Sequence, residues 1–412
     1  MKSNYKPLGN YIQEVNNRDK DKTIDLLLGV SIQKKFIPSI ANIIGTDMST
    51  YKIIKRNQFA YGPVTSRNGD KISIALLEDY DEAIVSQAYS PFEVKDTTKL
   101  LPEYLMMWFR RSEFDRYARF MSHGSAREIF GWEEMCNTLL PIPSLTKQKE
   151  IVKEYKVIQN RIELNKQLIQ KLEETAKAIY KNWFVDFEFP DENGKPYKSS
   201  GGEMVESELG EIPEGWLQTT LGYVLANKGY IRGPFGSALK KEDMIKNGFP
   251  VYEQQHAIDD HRNFRYFISP EKHESLKRFT VYPDDFVISC SGTLGKIIMI
   301  KANDPIGIIN QALLILRTDR NKFAPICLKY FLTSKDGNKL LIENSGGSAQ
   351  INIAKREVIQ DIPIVIPPRS EQIKVADYLF KCDKKIELLK KENRLINDLK
   401  ILLLSKLATI EN

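Results

Sequence analysis

A repeated stripe of apolar residues is the feature that most constrains how this chain folds. Only Asn165 interrupts its first copy, and no Gly or Pro lies within it. Apolar residues recur alternately four and three positions apart, at Ile151, Tyr155, Ile158, Ile162, Ile169, Leu172, Ala176, Ile179 and Trp183. This heptad spacing predicts a helix that packs lengthwise on another helix. A helix of roughly forty residues would be about 60 Å long.

The partner helix is predicted within the same chain. The stripe returns 224 positions further on, with Asn393 and Lys400 as its polar members. Its apolar members are Val375, Leu379, Cys382, Ile386, Leu389, Ile396, Leu403 and Leu407. The lead-in returns too, because Ile142-Pro143 with Gln148 corresponds to Ile366-Pro367 with Gln372. We infer an internal duplication with a period of about half the chain. The alternative, two unrelated amphipathic helices, leaves the matched lead-ins unexplained.

Length and composition indicate a globular protein of several domains. The chain has 412 residues, of which 42% are hydrophobic and 28% charged. It has no apolar run long enough to span a membrane, and Met1–Lys6 lacks the apolar core of a signal peptide, so we expect a cytoplasmic protein. Four scattered Cys and four His predict neither disulfides nor a metal site. A net charge of +6 is compatible with nucleic acid without being diagnostic of it.

The duplication predicts five segments along the chain. A first globular domain spans 1–143, a long helix 144–189, and a linker rich in Gly, Pro, Ser and charge 190–215. A second globular domain, 216–366, precedes a C-terminal long helix, 367–412. Within the first domain, Pro102–Phe120 reads as one helix with Leu105, Trp108, Phe109 and Phe114 towards the core.

The second domain repeats the first in outline while its loops differ. Leu221-Gly222-Tyr223-Val224 matches Leu8-Gly9-Asn10-Tyr11, and 326–341 matches the helix after Pro102. Gly347-Ser348-Ala349-Gln350 matches Gly124-Ser125-Ala126-Arg127. By contrast, 34–38 has no counterpart that resembles the Gly-rich segment 233–237. A repeated frame with divergent loops is the pattern expected of a duplicated binding domain with two different targets.

In this order of segments, the chain resembles the specificity subunit of a type I restriction–modification enzyme. Pro213-Glu214-Gly215-Trp216 opens the second domain, and Gly-Ser-Ala precedes each lead-in. Pro367-Pro368 with Glu371-Gln372-Ile373 begins the second helix in the manner of that family. The resemblance covers nearly the whole chain. It is specific because these short motifs occur twice and in the same order as in the family.

The resemblance implies a fold and a function. The fold would be α+β, with two α/β target-recognition domains in a pseudo-twofold arrangement, separated by two long antiparallel helices that form an intramolecular coiled coil. The subunit would be non-catalytic, and each domain would read one half of a split double-stranded DNA target. The coiled coil would set the spacer between the halves, which lie about 34 Å apart if they are one helical turn apart. Two adenine methyltransferase subunits, which bind S-adenosylmethionine, and motor-nuclease subunits would be its partners.

Signals for an enzyme are weak. No Asn-Pro-Pro-Tyr-type methyltransferase motif or Gly-x-Gly-x-x-Gly loop occurs in the sequence. Ser291–Lys296 resembles a phosphate-binding loop, but its glycine spacing is wrong and Ile297 stands where Ser or Thr would bind magnesium. Two alternative functions remain beside DNA recognition. The chain could be an enzyme in its own right, against which the missing motifs argue, or a coiled-coil scaffold that holds two protein-binding domains.

Candidate DNA contacts are polar side chains of the divergent loops, since base edges are read by Arg, Lys, Asn, Gln, Ser and Thr and phosphates by Lys and Arg. The first domain offers Gln33, Lys34, Lys35, Lys52, Lys55, Arg56, Thr65, Ser66, Arg67 and Arg127. The second offers Arg232, Ser237, Lys240, Lys241, Glu253, Gln254, Gln255, His256, Ser289, Ser291, Thr293, Lys296 and Gln350. The alternative for each is a solvated surface residue. Asn165 and Asn393 have two interpretations: they fix the register of the coiled coil, or they lie at its rim.

Overall fold

The computed structural model describes residues 5–21, 23–39, 47–66, 68–124, 127–342, 353 and 355–410. Its contacts divide the chain into unit 1, made of 1–167 and 390–412, and unit 2, made of 168–389. Each unit therefore contains part of each long helix. In the described residues, no helix combines the length and apolarity needed to cross a membrane.

Unit 1 contains short strands followed by three helices and the start of the first long helix. The strands are β1 (Tyr5–Pro7), β2 (Ile12–Glu14), β3 (Leu27–Val30), β4 (Phe36–Pro38), β5 (Lys52–Lys55), β6 (Phe59–Tyr61), β7 (Ile74–Leu76), β8 (Glu82–Val85), β9 (Ser90–Val94) and β10 (Leu139–Pro141). The helices are α1 (Pro102–Phe109), α2 (Ser112–Phe120), α3 (Trp132–Asn137) and the long α4 (Leu145–Phe184).

The strands of unit 1 form two four-stranded sheets and one pair. The first sheet has the order β2-β9-β6-β7 and is antiparallel. The second has the order β4-β3-β8-β5, in which β3 and β8 are parallel. β1 pairs with β10. An aromatic core that includes Phe59, Phe92 and Phe109 packs against Tyr155 of the first long helix and Leu407 near the chain's end.

Unit 2 begins within α4 and repeats this arrangement. Its strands are β11 (Met204–Val205), β12 (Ile212–Pro213), β13 (Leu217–Thr220), β14 (Leu225–Arg232), β15 (Phe249–Tyr252), β16 (Phe267–Ile268), β17 (Phe286–Ser289), β18 (Ile297–Met299), β19 (Ile308–Ile309), β20 (Leu313–Thr318) and β21 (Pro363–Ile366). Its helices are α5 (Leu221–Val224), α6 (Gln254–Asp259), α7 (Pro270–Ser275), α8 (Pro325–Thr333), α9 (Lys335–Ile342), α10 (Arg356–Gln360) and the long α11 (Arg369–Lys406).

The duplication is visible in the strand connections. The sheet β14-β20-β17-β18 is antiparallel like its counterpart, and β15 and β19 are parallel like β3 and β8. β13 pairs with β21 as β1 pairs with β10. The amide of Leu8 donates to the carbonyl of Thr138 at 2.9 Å, and the amide of Leu221 donates to that of Ile362 at 2.7 Å. The same frame is therefore built twice.

The predicted long helices and their antiparallel pairing are confirmed. In unit 1, Arg161 Nε donates to Glu392 Oε1 at 2.8 Å and Asn165 Nδ2 donates to Asn393 Oδ1 at 3.0 Å. Earlier on α4, the centroid of the Tyr155 ring lies 5.6 Å from Nζ of Lys400, which comes later on α11 than Glu392 and Asn393. The two helices therefore run in opposite directions. The predicted seam residues are buried or half-buried: Ile151, Tyr155, Ile158, Ile162, Ile396 and Leu403 in unit 1, and Ile169, Leu172, Ile179, Val375, Leu379, Ile386 and Leu389 in unit 2.

One predicted helix is wrong, because the segment after Pro102 forms two helices. α1 ends at Phe109 and α2 begins at Ser112, with extended backbone at Arg111 (ψ 139°). The break lets the rings of Phe109 and Phe114 pack 4.8 Å apart in the same core. Unit 2 has the same break between α8 and α9, at Ser334. The first long helix also ends at Phe184 rather than 189, and Phe189 stacks on Trp216 at 5.2 Å instead.

Candidate nucleic-acid interface

The strand ends of unit 2 bring several predicted contact residues together. Ser291 and Thr293 are exposed in the loop after β17. The side-chain amide of Gln254, at the start of α6, donates to the carbonyl of Ser291 and lies 3.4 Å from that of Thr293. Arg232 ends β14 and interacts with the thiol of Cys290, which precedes Ser291. We call Arg232, Gln254, Ser291 and Thr293 the strand-end surface.

Glycines shape this loop. Gly292 and Gly295 have positive φ angles of 62° and 68°, a conformation that side-chain-bearing residues adopt at a cost. The side-chain amide of Asn338 donates to the carbonyl of Gly295 at 2.8 Å. Lys296, the next residue, is exposed at the start of β18. The loop thus presents hydroxyls, an amide and a cation on a fixed backbone, which are the groups that contact bases and phosphates.

Three predicted contact residues of unit 2 are instead internal. Glu253 is buried and receives two hydrogen bonds from Arg265, from Nε at 2.9 Å and from Nη2 at 2.7 Å. Ser289 is buried and its hydroxyl donates to the carbonyl of Thr293 at 2.6 Å. These prediction errors share a cause, because polar side chains next to a strand can equally well fix the loop that follows.

His256 is the third internal residue. Its ring is fully buried, and Nδ1 accepts a hydrogen bond from the amide of Glu253 at 2.8 Å. With that tautomer Nε2 carries the proton and donates to the carbonyl of Asn263 at 3.1 Å. Burial lowers the pKa of His256, and the hydrogen bonds of Asn263 and Glu253 oppose that shift. The ring is therefore a neutral structural bridge and not a surface contact.

The remaining candidates of unit 2 lie on the surface. Gln255 is half-buried and donates to Glu253 at 3.2 Å. Ser237, Lys240 and Lys241 are exposed, and Lys240 lies 3.0 Å from Glu242. Gln350 lies outside the described residues.

In unit 1, Lys34 is also internal and its prediction as a contact is wrong. It is only 5% exposed, and its Nζ donates to Asp115 Oδ1 at 2.6 Å and to the carbonyl of Phe109 at 2.5 Å. Burial lowers its pKa, and the neighbouring Asp115 opposes this shift. The ion pair fixes the turn between β3 and β4 against α1 and α2, and Gln33 and Lys35 of that turn remain exposed.

Other candidates of unit 1 divide into engaged and exposed residues. Lys52 donates to the carbonyl of Tyr89 at 2.8 Å, and Arg56 binds Asp81 at 3.0 Å. Thr65 is buried and its hydroxyl donates to that of Ser122 at 2.9 Å, so it is not a contact either. Lys55, Ser66 and Arg127 are exposed. Arg67 lies outside the described residues, as do Ser125 and Ala126 of the Gly-Ser-Ala phrase.

The sequence interpretation missed two cations of unit 1. Arg110 and Lys400 both lie against the ring of Tyr155, each 5.6 Å from its centroid. Lys400 had a signal, since it is a charged residue at an apolar seam position. No sequence signal identified Arg110, because the position of its side chain depends on the break between α1 and α2.

Comparisons with known proteins agree with the duplicated architecture. A family model for the type I restriction modification DNA specificity domain matches twice, at residues 20–174 and 235–398. The HindI specificity subunit of Haemophilus influenzae is 26% identical over 163 residues, a match that covers 39% of this chain and about a third (35%) of that relative. The putative MjaX specificity subunit of Methanocaldococcus jannaschii is 24% identical over 313 residues, which cover 76% of this chain and 68% of the relative.

A solved structure shares the fold. The S subunit of a type I restriction–modification system from M. genitalium superposes with a TM-score of 0.58 at 14% identity, covering 99% of this chain and 96% of that one. The likeness at this identity concerns the fold, whereas the double match to the family model concerns the sequence. Together, the two matches and the duplicated frame show that this chain belongs to the type I restriction modification DNA specificity domain family.

Proposed function

We propose that this chain is the non-catalytic DNA-recognition subunit of a type I restriction–modification enzyme, and that each unit reads one half of a split DNA target. The observation that carries the proposal is a frame built twice, with different polar groups at its loops. Unit 2 presents the strand-end surface, whereas the turn of unit 1 presents Gln33 and Lys35 beside a buried Lys34. Two frames with different base-reading groups suit two different half-sites.

We further propose that the paired helices set the spacer between the half-sites. A spacer of fixed length needs an element of fixed length, and α4 and α11 have 40 and 38 residues without an interruption. In unit 1, the hydrogen bond between Asn165 of α4 and Asn393 of α11 fixes how the two helices are aligned. A purely apolar seam would permit several alignments, but this bond forms in one of them.

Two methyltransferase subunits are the proposed partners, and they would bring S-adenosylmethionine with them. Support comes from Leu164 and Leu388, which occupy matched places in the duplication and are 58% and 54% exposed on the two long helices. An apolar side chain that is exposed at the same position of both long helices is expected where each helix binds one copy of the same partner. Motor-nuclease subunits would join such a complex to make the restriction enzyme.

Each unit also has a cavity at the same place in its frame. The cavity of unit 1 measures about 340 Å³ and is lined among others by Trp108, Glu113, Leu139 and Ala408. That of unit 2 measures about 640 Å³ and is lined among others by Phe331, Asp336, Pro363 and Phe184. These residues correspond pairwise in the duplication. A cavity that both copies retain, while their loops differ, again favours one partner bound twice.

Methylation mapping tests the proposal. The chain is co-expressed with its neighbouring methyltransferase, and methylated adenines are mapped across the host genome by single-molecule sequencing. We expect a split motif of two short specified halves around an unspecified gap, and exchange of residues 216–366 for those of a relative should change one half only. A continuous motif would contradict two-unit readout. A stable complex without methylation would favour the scaffold alternative.

A further inference from the structure

A group of cations surrounds Tyr155 in unit 1 and has no role in the function proposed above. Arg110 Cζ and Lys400 Nζ each lie 5.6 Å from the centroid of the Tyr155 ring. Nη1 of Arg110 also lies 3.5 Å from the Tyr155 hydroxyl oxygen. The tyrosine is buried, whereas both cations are half-buried and reach solvent. Two positive side chains therefore share one aromatic ring.

The charges that act on Lys400 are all positive. Burial lowers the pKa of Lys400, and Arg110, Lys35 and Lys166 lower it further. We call Arg110, Lys400, Lys35, Lys166 and Tyr155 the Tyr155 cluster. The neighbouring positive charges disfavour the charged form of Lys400, so the cluster has an electrostatic cost.

Among the described acids near the cluster, Asp115 is held in a close ion pair, whereas Glu78 and Glu163 lie at the outer distance limit of one. Asp115 binds Lys34 at 2.6 Å, and Glu78, which acts on the Tyr155 hydroxyl, lies 3.9 Å from Lys156. Glu163 lies 3.9 Å from Lys166, where both side chains are well exposed, and a pair of this kind contributes little. In the part of the chain that the structure describes, neither Arg110 nor Lys400 forms an ion pair with a carboxylate, so both cations can bind an anionic group from outside the chain.

Unit 2 shows that the frame does not need these charges. Along the long helices, Tyr155 corresponds to Leu379 and Lys400 to Ala176, and both unit 2 residues are fully buried. With α1 and α8 aligned on Pro102 and Pro325, Arg110 corresponds to Thr333. The three corresponding positions of unit 2 are therefore apolar or neutral, so the repeated frame does not require cations at these positions.

We propose that the Tyr155 cluster binds a phosphate group of the DNA backbone. The planar guanidinium of Arg110 and the point charge of Lys400 are the two groups that proteins use for phosphate. Lys35, whose charge acts on Lys400, belongs to the exposed turn between β3 and β4, and Lys34 of that turn donates to the carbonyl of Phe109, the residue before Arg110. The cluster therefore lies beside the turn that presents Gln33 and Lys35. A phosphate contact fixes the position of the duplex without reading sequence. This proposal rests on the proposed function, because it supplies an anchor for the half-site read by unit 1.

The test replaces both cations with the residues found at the corresponding positions of unit 2, in the double variant Arg110→Thr/Lys400→Ala. The variant is studied in its complex with the methyltransferase. Binding to a labelled duplex that contains the mapped motif is measured over a range of salt concentrations. Loss of this phosphate contact should make the slope of log K against log salt shallower by about 0.9 and weaken binding roughly threefold to tenfold. The methylated motif should stay the same, since no base contact is removed.

A matched control removes the same charges elsewhere. Lys391 and Arg394 are exposed on α11, and Lys391→Ala/Arg394→Ala should keep the wild-type slope. The urea midpoint of the test variant should be unchanged or higher, because repulsion is relieved. If the double variant does not fold, the single variant Lys400→Ala is measured in the same way.

The outcomes separate the two proposals. A wild-type salt slope in the folded variant would overturn the phosphate contact while leaving DNA recognition intact. Inorganic phosphate that raises the Tm of the wild type but not of the variant, together with an unchanged slope, would identify a free-anion site and overturn the DNA assignment. Failure of the wild-type complex to bind any duplex would instead overturn the proposed function, and the phosphate contact with it.

Discussion

Gln148 and Gln372, one near the start of each long helix, make the same three hydrogen bonds. Oε1 of Gln148 accepts from the amide of Leu101 at 2.8 Å, and Nε2 donates to the carbonyls of Lys99 and Pro143 at 2.8 and 2.9 Å. Gln372 accepts from Ala324 at 3.0 Å and donates to Lys322 and Pro367 at 3.1 and 3.0 Å. Both amides are buried and join a long helix to the loop before α1 or α8.

Replacing either glutamine should be strongly destabilising. Gln148→Leu leaves three backbone groups without a partner, and each unsatisfied buried group costs roughly 1–3 kcal/mol, so we expect the free energy of unfolding to fall by about 3 kcal/mol or more. Gln372→Leu should have a similar effect. Urea unfolding measures both, with the exposed Gln170→Leu as a control that changes stability by less than about 0.5 kcal/mol. A wild-type midpoint for Gln148→Leu would show that water replaces the lost bonds.

The hydrogen bond between Asn165 and Asn393 predicts a non-additive pair of substitutions. The corresponding residues of unit 2 are Leu389 and Ile169. Asn165→Leu alone should lower the free energy of unfolding by about 1–3 kcal/mol, because it leaves Asn393 without its partner. Asn165→Leu/Asn393→Ile should restore the loss or exceed the wild type, since both polar groups are gone. Urea unfolding of Asn165→Leu, Asn393→Ile and the double variant checks this, and additive effects would contradict a coupled pair.

How far the fold could be predicted depends on the range of the interactions. The heptad stripe and the lead-in glutamines are local patterns, and they predicted both long helices and the duplication. The burial of Lys34 depends on Asp115, which lies 81 positions away in the chain, and no local pattern distinguishes it from the exposed Lys35. The break at Arg111 likewise depends on Phe109 and Phe114 meeting in one core.

Candidate contacts were predicted by residue type, which cannot separate a side chain that faces solvent from one that fixes a loop. Arg232, Gln254, Ser291 and Thr293 were predicted as members of separate loops of the second domain, and only the strand order brings them to one edge. Glu253 is equally polar, but it is buried because its carboxylate is bound by Arg265.

Burial of neutral His256 predicts a loss of stability in acid. Its pKa is lowered from 6.5 in the folded chain, so below about pH 6.5 the unfolded chain binds the proton first. Because the unfolded state then binds more protons, the free energy of unfolding falls as pH falls through this range. His256→Gln can keep both hydrogen bonds and should show a shallower fall between about pH 7 and pH 5. The pKa of His273 is also lowered by burial, so part of the fall remains in both proteins. Equal slopes would contradict a neutral buried ring.

Leu164 and Leu388 predict a change in the stoichiometry of the complex. Leu164→Asp and Leu388→Asp each place a charge on one exposed apolar position, so each should remove one of two bound methyltransferase subunits without unfolding the chain. Native mass spectrometry of the co-purified complex gives the count, and Gln167→Asp, exposed on the same helix, is the control. Two methyltransferases retained by both variants would place the docking surface elsewhere, with the paired cavities as the next site to alter.

The proposed role of the helices as a spacer predicts that the gap between the half-sites grows in steps when whole heptads are inserted. Seven residues added after Gln167 in α4, together with seven added after Leu389 in α11, preserve the apolar seam because a heptad returns each helix to the same face. The pair then lengthens by about 10 Å at 1.5 Å per residue. Since successive base pairs rise by about 3.4 Å, the unspecified gap of the methylated motif should grow by about three base pairs while both halves stay the same. Insertion into α4 alone leaves the pair of Asn165 and Asn393 in place but makes α4 seven residues longer without a matching change in α11. It should abolish methylation, because the two helices no longer match in length. An unchanged gap after the double insertion would mean that the distance between half-sites is fixed by the partner subunits and not by this coiled coil.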